Sequence, residues 1–319
     1  MRYGFFFLKT TLIDILYLCP YFSTMKATSG NHFLGLSDPA LTAYDTSKVV
    51  IQQLPYEYTS SYIAGSAKGP AAIVAASEFV ECYDEEIDTE IVDEVGIHTV
   101  SPFDFEGVVN EQAISLIEES TGRLLKDDKF VVSLGAEHTV TYGIVKAFAK
   151  KYRNLSILQI DAHSDLRESY QGNPLSHACV MARIHDMGLT ICQAGIRAQA
   201  REEAELIKAS ENINTFYAHQ IRTNPLWMDE IIGPLSNDVY ITIDADGFDP
   251  SIMPGVGTAE PNGLFWTETL QLLQQVCKER NVVGFDIVEC APIEGSILSE
   301  YTLAKLAYKL IGYKFQTSV

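Results

Sequence analysis

Four short segments carry most of the groups able to do chemistry. Gly135-Ala136-Glu137-His138 is followed by Asp161-Ala162-His163-Ser164-Asp165, by Asp244-Ala245-Asp246-Gly247-Phe248-Asp249-Pro250, and by Glu289-Cys290-Ala291-Pro292. Each comes at the end of an apolar, β-branched run, where a carboxylate is costly unless it is paired or bound to a cation. A single aspartate in that place commonly caps the next helix. Asp161, Asp165, Asp244, Asp246 and Glu289, converging with His138 and His163, would instead repel one another without a cation. Mixed imidazole and oxygen ligation suits an ion such as Mn(II), and no ligand-spaced cysteines favour a structural zinc. His138, Asp161, His163, Asp165, Asp244 and Asp246 are too many ligands for one ion with an open position, but they suit two ions that share bridging carboxylates. Two ions about 3.5 Å apart can hold and orient one water-derived nucleophile, which is metal-assisted hydrolysis. Asp249, followed by Pro250 in a turn, suits loop organisation at least as well as ligation.

The elements that must position these groups read as a parallel α/β architecture. Short strands are expected at 91–95, 130–134, 155–160, 189–195, 238–244 and 282–288, alternating with amphipathic segments near 108–122, 139–151, 201–210 and 266–280 and a last helix near 299–311. The strands are more apolar than alternating, which places them centrally with helices on both faces. No linker, charge block or repeat divides the chain, so one three-layer α/β/α domain is expected, with its chemistry outside the C-terminal strand ends.

A chain of 319 residues, 47% apolar and 20% charged, has enough material for a sizeable core. Its formal charge of -19 repels phosphate backbones and attracts cations, so nucleic acid is not an expected partner. Six scattered cysteines read as reduced core residues of a cytoplasmic enzyme. Residues 1–24 are unusually apolar, yet Lys9 and Asp14 interrupt the run and no small-residue cleavage site follows. They are expected to be a misassigned start or a disordered tail, with residues 25–319 forming the catalytic domain and no membrane association.

From about Leu54 to the C-terminus the chain resembles the arginase and agmatinase family, the ureohydrolases. The D-A-H-x-D, D-x-D-x-x-D-P and strand-Glu-x-x-Pro signatures in this order carry the resemblance. It implies a central parallel sheet in an arginase/deacetylase-like fold, two Mn2+ ions, and release of urea from a small cationic guanidino substrate. One manganese would be held by His138 and Asp165, the other by His163 and Asp246, with Asp161 and Asp244 bridging. His177, in Gly172-Asn173-Pro174-Leu175-Ser176-His177-Ala178, matches the family's catalytic histidine and would move protons, and Glu289 is expected to clamp the guanidinium. The resemblance also implies a homotrimer or homohexamer.

Three features that hold an amino-acid substrate in arginases are absent. The histidine segment has the agmatinase form, Arg167 stands where arginases tend to have asparagine, and no aspartate follows Ile196-Arg197. A decarboxylated substrate, agmatine, is therefore expected, cleaved to putrescine and urea by a C-N hydrolase of the EC 3.5.3 type. The alternatives are guanidinobutyrate, arginine or guanidine as substrate, or a related metal-dependent deacetylase.

Overall fold

The computed structural model describes residues 31–316. The apolar stretch 1–24 lies outside them. Eight strands form one sheet: β1 (Val49–Leu54), β2 (Ile97–Thr99), β3 (Phe130–Gly135), β4 (Leu155–Ile160), β5 (Thr190–Ile196), β6 (Ile213–Tyr217), β7 (Asp238–Asp244) and β8 (Asn281–Val288). Their order is β2-β1-β3-β8-β7-β4-β5-β6 and every pairing is parallel. The first three strands build one side of the sheet and the next three build the other. β7 and β8 then enter between them, and this late insertion brings the ends of β3, β8, β7 and β4 side by side.

Parallel strands need crossovers, and the crossovers here cover both faces. Phe130, Val132 and Leu134 of β3 point into one core, shared with the helices Trp266–Glu279 and Leu298–Phe315. Val131 points into the other, shared with the helices Glu111–Lys126, Val140–Lys151 and Val180–Asp186. This is a three-layer α/β/α sandwich, as the apolar strand runs predict. Each fully buried Ile, Val or Leu contributes roughly 1.5–3 kcal/mol to it by leaving water.

Five expected strands and five expected helices appear with ends shifted by a few residues. The sixth strand expectation, at 91–95, is overturned: Ile91–Val95 is a helical turn and the strand is Ile97–Thr99. Ile91, Val92 and Val95 are buried while Asp93 and Glu94 face out, which is helical spacing, and Gly96 at φ 60° ends the turn. β1 carries no expectation in the sequence because Gln52 and Gln53 break its apolar run. Both are buried, and their amide nitrogens are paired: Gln52 Nε2 donates to Thr121 Oγ1 (3.0 Å) and Ser133 Oγ (2.8 Å), and Gln53 Nε2 donates to the Val100 carbonyl (3.0 Å).

Candidate active site

All eight expected site residues lie at the C-terminal ends of the four central strands. Asp161 follows β4, Asp244 ends β7, Glu289 follows β8, and His138 stands three residues beyond β3. His177 opens a 3-10 turn, His177–Cys179, that reaches the same place. Asp165 and Glu289 hold left-handed backbone, φ 54° and 61°, a strain of about 1–3 kcal/mol that non-glycine residues keep where surrounding structure imposes it.

Two groups of potential ligands form here: His138 with Asp161 and Asp165, and Asp161 with His163 and Asp246. Asp161 belongs to both. His138 Nδ1 is 3.0 Å from Asp165 Oδ2, 3.1 Å from Asp161 Oδ2 and 3.4 Å from Asp244 Oδ2. His163 Nδ1 is 2.9 Å from Asp246 Oδ2. Asp244 stands beside the first group and turns Oδ1 to the Asp246 N–H (2.8 Å). Asp249 accepts from Ser251 N–H and Oγ and from Gly263 N–H, so it organises its loop and joins neither group.

The electrostatics call for cations. Burial, then the charges of Asp165 and Asp246, push the Asp161 carboxyl up to about 7. Burial and the same neighbourhood raise Asp244 well above the carboxylate range. For His163 burial opposes the charged form, but Asp246 and Asp161 outweigh it and raise the imidazole to about 11. His138 supplies the sharper test of fit. Its Nε2 lies 2.9 Å from Thr242 Oγ1, whose own hydrogen goes to Asp286 Oδ1 (2.6 Å), so Nε2 donates. Nδ1 then faces three carboxylate oxygens with no hydrogen-bond partner of acceptable geometry. A buried lone pair among carboxylates fits a divalent cation, and the donor set of imidazole and carboxylate fits manganese and its neighbours. The residues present form a binuclear metal-binding site.

A cavity of about 240 Å3 opens above these groups, with His177 and Glu289 in its wall and Tyr62, Ile63, Arg167 and Tyr170 toward its rim. His177 stacks edge-on to Tyr170 at 5.9 Å, and burial lowers its pKa below the usual imidazole value. Glu289 Oε1 accepts the His138 backbone N–H (2.7 Å). Arg167 is engaged by Glu202 (3.2 Å) and by the Tyr170 ring (5.3 Å). Cys179 and Cys290 are buried, and burial pushes their thiols up to about 11 and about 12, so neither is suited to act as a thiolate nucleophile.

The decisive observation is that the arginase family model matches residues 47–312. The chain belongs to the arginase family. A Synechocystis sp. N(1)-aminopropylagmatine ureohydrolase is 40% identical over 91% of this chain and 96% of its own. A Bacillus cereus agmatinase is 36% identical over 84% of this chain and 90% of its own. The crystal structure of an agmatine ureohydrolase of Thermoplasma volcanium superposes with a TM-score of 0.78 at 29% identity, covering 95% of this chain and 98% of that one. This arginase-family member is a metal-dependent hydrolase of the ureohydrolase type, acting on a small guanidino substrate through a binuclear site. Among the described residues no helix is long and apolar enough to cross a membrane.

Sequence reasoning leaves several supporting residues of the ureohydrolase site unassigned. Asp286, buried in β8, accepts hydroxyl hydrogens from Thr242 (2.6 Å), Tyr240 (2.8 Å) and Thr141 (3.0 Å) and so orients the support of His138. A carboxylate inside VVGFDIV was the available signal. Arg197 ties the β7 loop down through the carbonyls of Asp246 (2.6 Å) and Phe248 (3.1 Å). Gly247 lets that loop approach Asp161, since a Cβ there would lie 2.8 Å from the Asp161 nitrogen.

Proposed function

We propose that this protein hydrolyses the guanidino group of N1-aminopropylagmatine, releasing urea and the triamine spermidine, with agmatine as the second reading. The observation that carries the reaction is the pair of ligand groups sharing Asp161 at the floor of a cavity walled by His177 and Glu289. His138 and Asp165 would hold one ion, His163 and Asp246 the other, with Asp161 and Asp244 between them. Two divalent ions, manganese by resemblance, would supply an activated water and neutralise the buried carboxylates. Glu289 would clamp the guanidinium with Oε2, since Oε1 is tied to the His138 backbone. His177 would carry a proton to the departing amine.

The tail is where agmatine and its aminopropyl derivative part. The cavity, about 240 Å3, is smaller than the roughly 300–1,000 Å3 of common ligand pockets. It suits a guanidino head with a short methylene chain, so a longer tail would run out past the exposed Tyr62 and Ile63. Among the described residues lining the cavity the Arg or Lys side chain is that of Arg167, and it is already engaged by Glu202 and Tyr170, which disfavours a substrate carboxylate. The names of the relatives at 40% and 36% identity support both amines as candidates. The test is urea release by the Mn-loaded enzyme on N1-aminopropylagmatine, agmatine, arginine, guanidinobutyrate and guanidine. The expected result is a kcat/KM for N1-aminopropylagmatine at least about tenfold above agmatine, about 1.4 kcal/mol at the transition state. A preference for agmatine selects the second reading, and a preference for arginine overturns both.

Metal binding should be coupled to protons. In the metal-free protein burial and the neighbouring carboxylates push the Asp161 carboxyl up to about 7, so in acid it holds a proton that an ion must displace. A carboxyl raised above its unfolded value binds its proton more tightly when folded. The metal-free fold therefore gains stability from it at low pH and loses that gain as pH rises through about 7. Bound ions reverse the trend. Calorimetric titration in two buffers of different ionisation enthalpy is expected to show proton release on metal binding and weakening affinity below pH 7. An affinity that stays constant from pH 6 to 8, with no proton release, would overturn the coupling of metal binding to the protons of this cluster.

A further inference from the structure

The backbone and the ring of His177 close on a single hydroxyl. Thr59 Oγ1 accepts the His177 backbone N–H at 3.0 Å and lies 3.0 Å from His177 Nδ1. The same oxygen lies 3.0 Å from Glu137 Oε2. Ser176 Oγ is the other neighbour of Nδ1, at 3.4 Å. A hydroxyl has one hydrogen and two acceptor lone pairs, so these contacts fill its capacity.

Only one assignment satisfies all of them. The backbone N–H is a fixed donor and takes one lone pair. Glu137 Oε2 already accepts the N–H groups of Tyr58 (3.1 Å) and Thr59 (2.7 Å), so it acts as an acceptor and receives the hydroxyl hydrogen. Glu137 is fully buried, and turning the hydrogen away would set two oxygen lone pairs against each other 3.0 Å apart with no water to relieve them. The second lone pair of Thr59 is left facing Nδ1, which must therefore carry a hydrogen.

We infer that Thr59, oriented by Glu137, locks neutral His177 in the tautomer with its hydrogen on Nδ1, so that the basic nitrogen offered to the cavity is Nε2. Thr59 belongs to neither ligand group and does not line the cavity, so it is a positioning residue that acts through His177. The segment after β1 that carries Thr59 is itself held by hydrogen bonds. Glu57 pins it by accepting from Gly65 N–H (2.6 Å), Ala67 N–H (3.0 Å) and Ser60 Oγ (3.0 Å), and Ser60 to Ile63 form part of the cavity rim. One loop thus shapes the entrance and sets the proton position on the histidine.

The inference rests on His177 as the proton carrier of the proposed reaction, and its test separates the two. The full chain is labelled with 15N-histidine and loaded with Zn2+, which avoids the line broadening of Mn2+, and His177 is assigned by comparison with His177→Gln. The expected spectrum places the hydrogen on Nδ1 and leaves Nε2 unprotonated. Thr59→Val, similar in shape but without an acceptor, is expected to lose that preference. In the Mn-loaded enzyme it should lower kcat about tenfold or more with metal content unchanged. It should also move the acid limb of kcat/KM to lower pH, because the imidazolium loses its acceptor. Thr59→Ser is expected to restore the tautomer, the rate and the limb. A wild-type His177 protonated on Nε2, or a Thr59→Val protein with the wild-type tautomer, overturns the inference. Normal turnover in His177→Asn would overturn the proton-carrier reading and leave the tautomer assignment standing.

Discussion

Asp161→Asn is expected to empty both cation positions, whereas Asp165→Asn and Asp246→Asn should each disturb one first. The reason is membership: Asp161 belongs to both ligand groups, and the other two belong to one each. Its surroundings also reject an amide. Asp161 is fully buried, Oδ2 accepts from Gln159 Nε2 (2.7 Å) and Oδ1 accepts the His163 N–H (2.6 Å). An asparagine NH2 in either orientation would face a donor, so the loss of charge comes with a mispaired hydrogen bond. Loss of a supporting contact behind a metal ligand costs roughly 10–100-fold in affinity or activity. Loss of a shared anionic ligand should exceed that range. Metal content per chain checks it, with wild type near two, Asp161→Asn near zero and the single-group variants between. A melting curve in chelator serves as the folding control. An Asp161→Asn protein that keeps two ions and full urea release would break the assignment of the shared ligand.

The site was more legible than the frame around it, for a physical reason. Its candidate ligands sit in short contiguous segments at strand ends, where a buried carboxylate is conspicuous against an apolar run, so Asp161, Asp244 and Glu289 mark both their strands and the place where carboxylates converge. β1 hides because its glutamines find distant partners, Gln52 across the sheet and on a helix 81 and 69 positions away, and Gln53 at the Val100 carbonyl 47 positions away. Ile91–Val95 misleads because five apolar-rich residues fit a strand as well as one helical turn, and only Gly96 marks the difference. Thr59 has no local signature, and for Glu137 and Asp286 a carboxylate in or beside an apolar run is visible but its partners are not. Their roles come from hydroxyls and carboxylates that meet only when β1, β3 and β8 lie side by side. Substrate choice follows the same rule. The absent arginase features speak to the amino-acid end of a substrate, but the cavity residues that the proposed tail would pass, Tyr62, Ile63 and Tyr170, come from two separate loops and form no motif. Agmatine as read from the sequence and the aminopropyl derivative suggested by relatives differ only in that region.

His177→Asn should separate chemistry from metal binding. His177 belongs to neither ligand group, so the variant is expected to retain two ions per chain. Its side chain reaches Thr59 at 3.0 Å through Nδ1, a contact that the asparagine amide can reproduce, so the loop should hold its place. The nitrogen at the far edge of the ring is lost. With the proposed proton carrier gone from the cavity wall, turnover is expected to fall roughly 10²–10⁴-fold, the usual worth of a positioned acid or base, with little change in KM. That corresponds to about 2.7–5.4 kcal/mol of transition-state stabilisation. The pH profile adds a signature. Burial lowers the His177 pKa, and Asp165 nearby only partly offsets it. The neutral, proton-accepting form therefore persists to lower pH than an ordinary imidazole allows. Wild-type kcat/KM should lose activity on the acid side only below the usual histidine range, and His177→Asn should lose that limb along with the rate. A fully metallated His177→Asn enzyme that turns over near the wild-type rate, with the acid limb intact, would assign the proton transfer to another group.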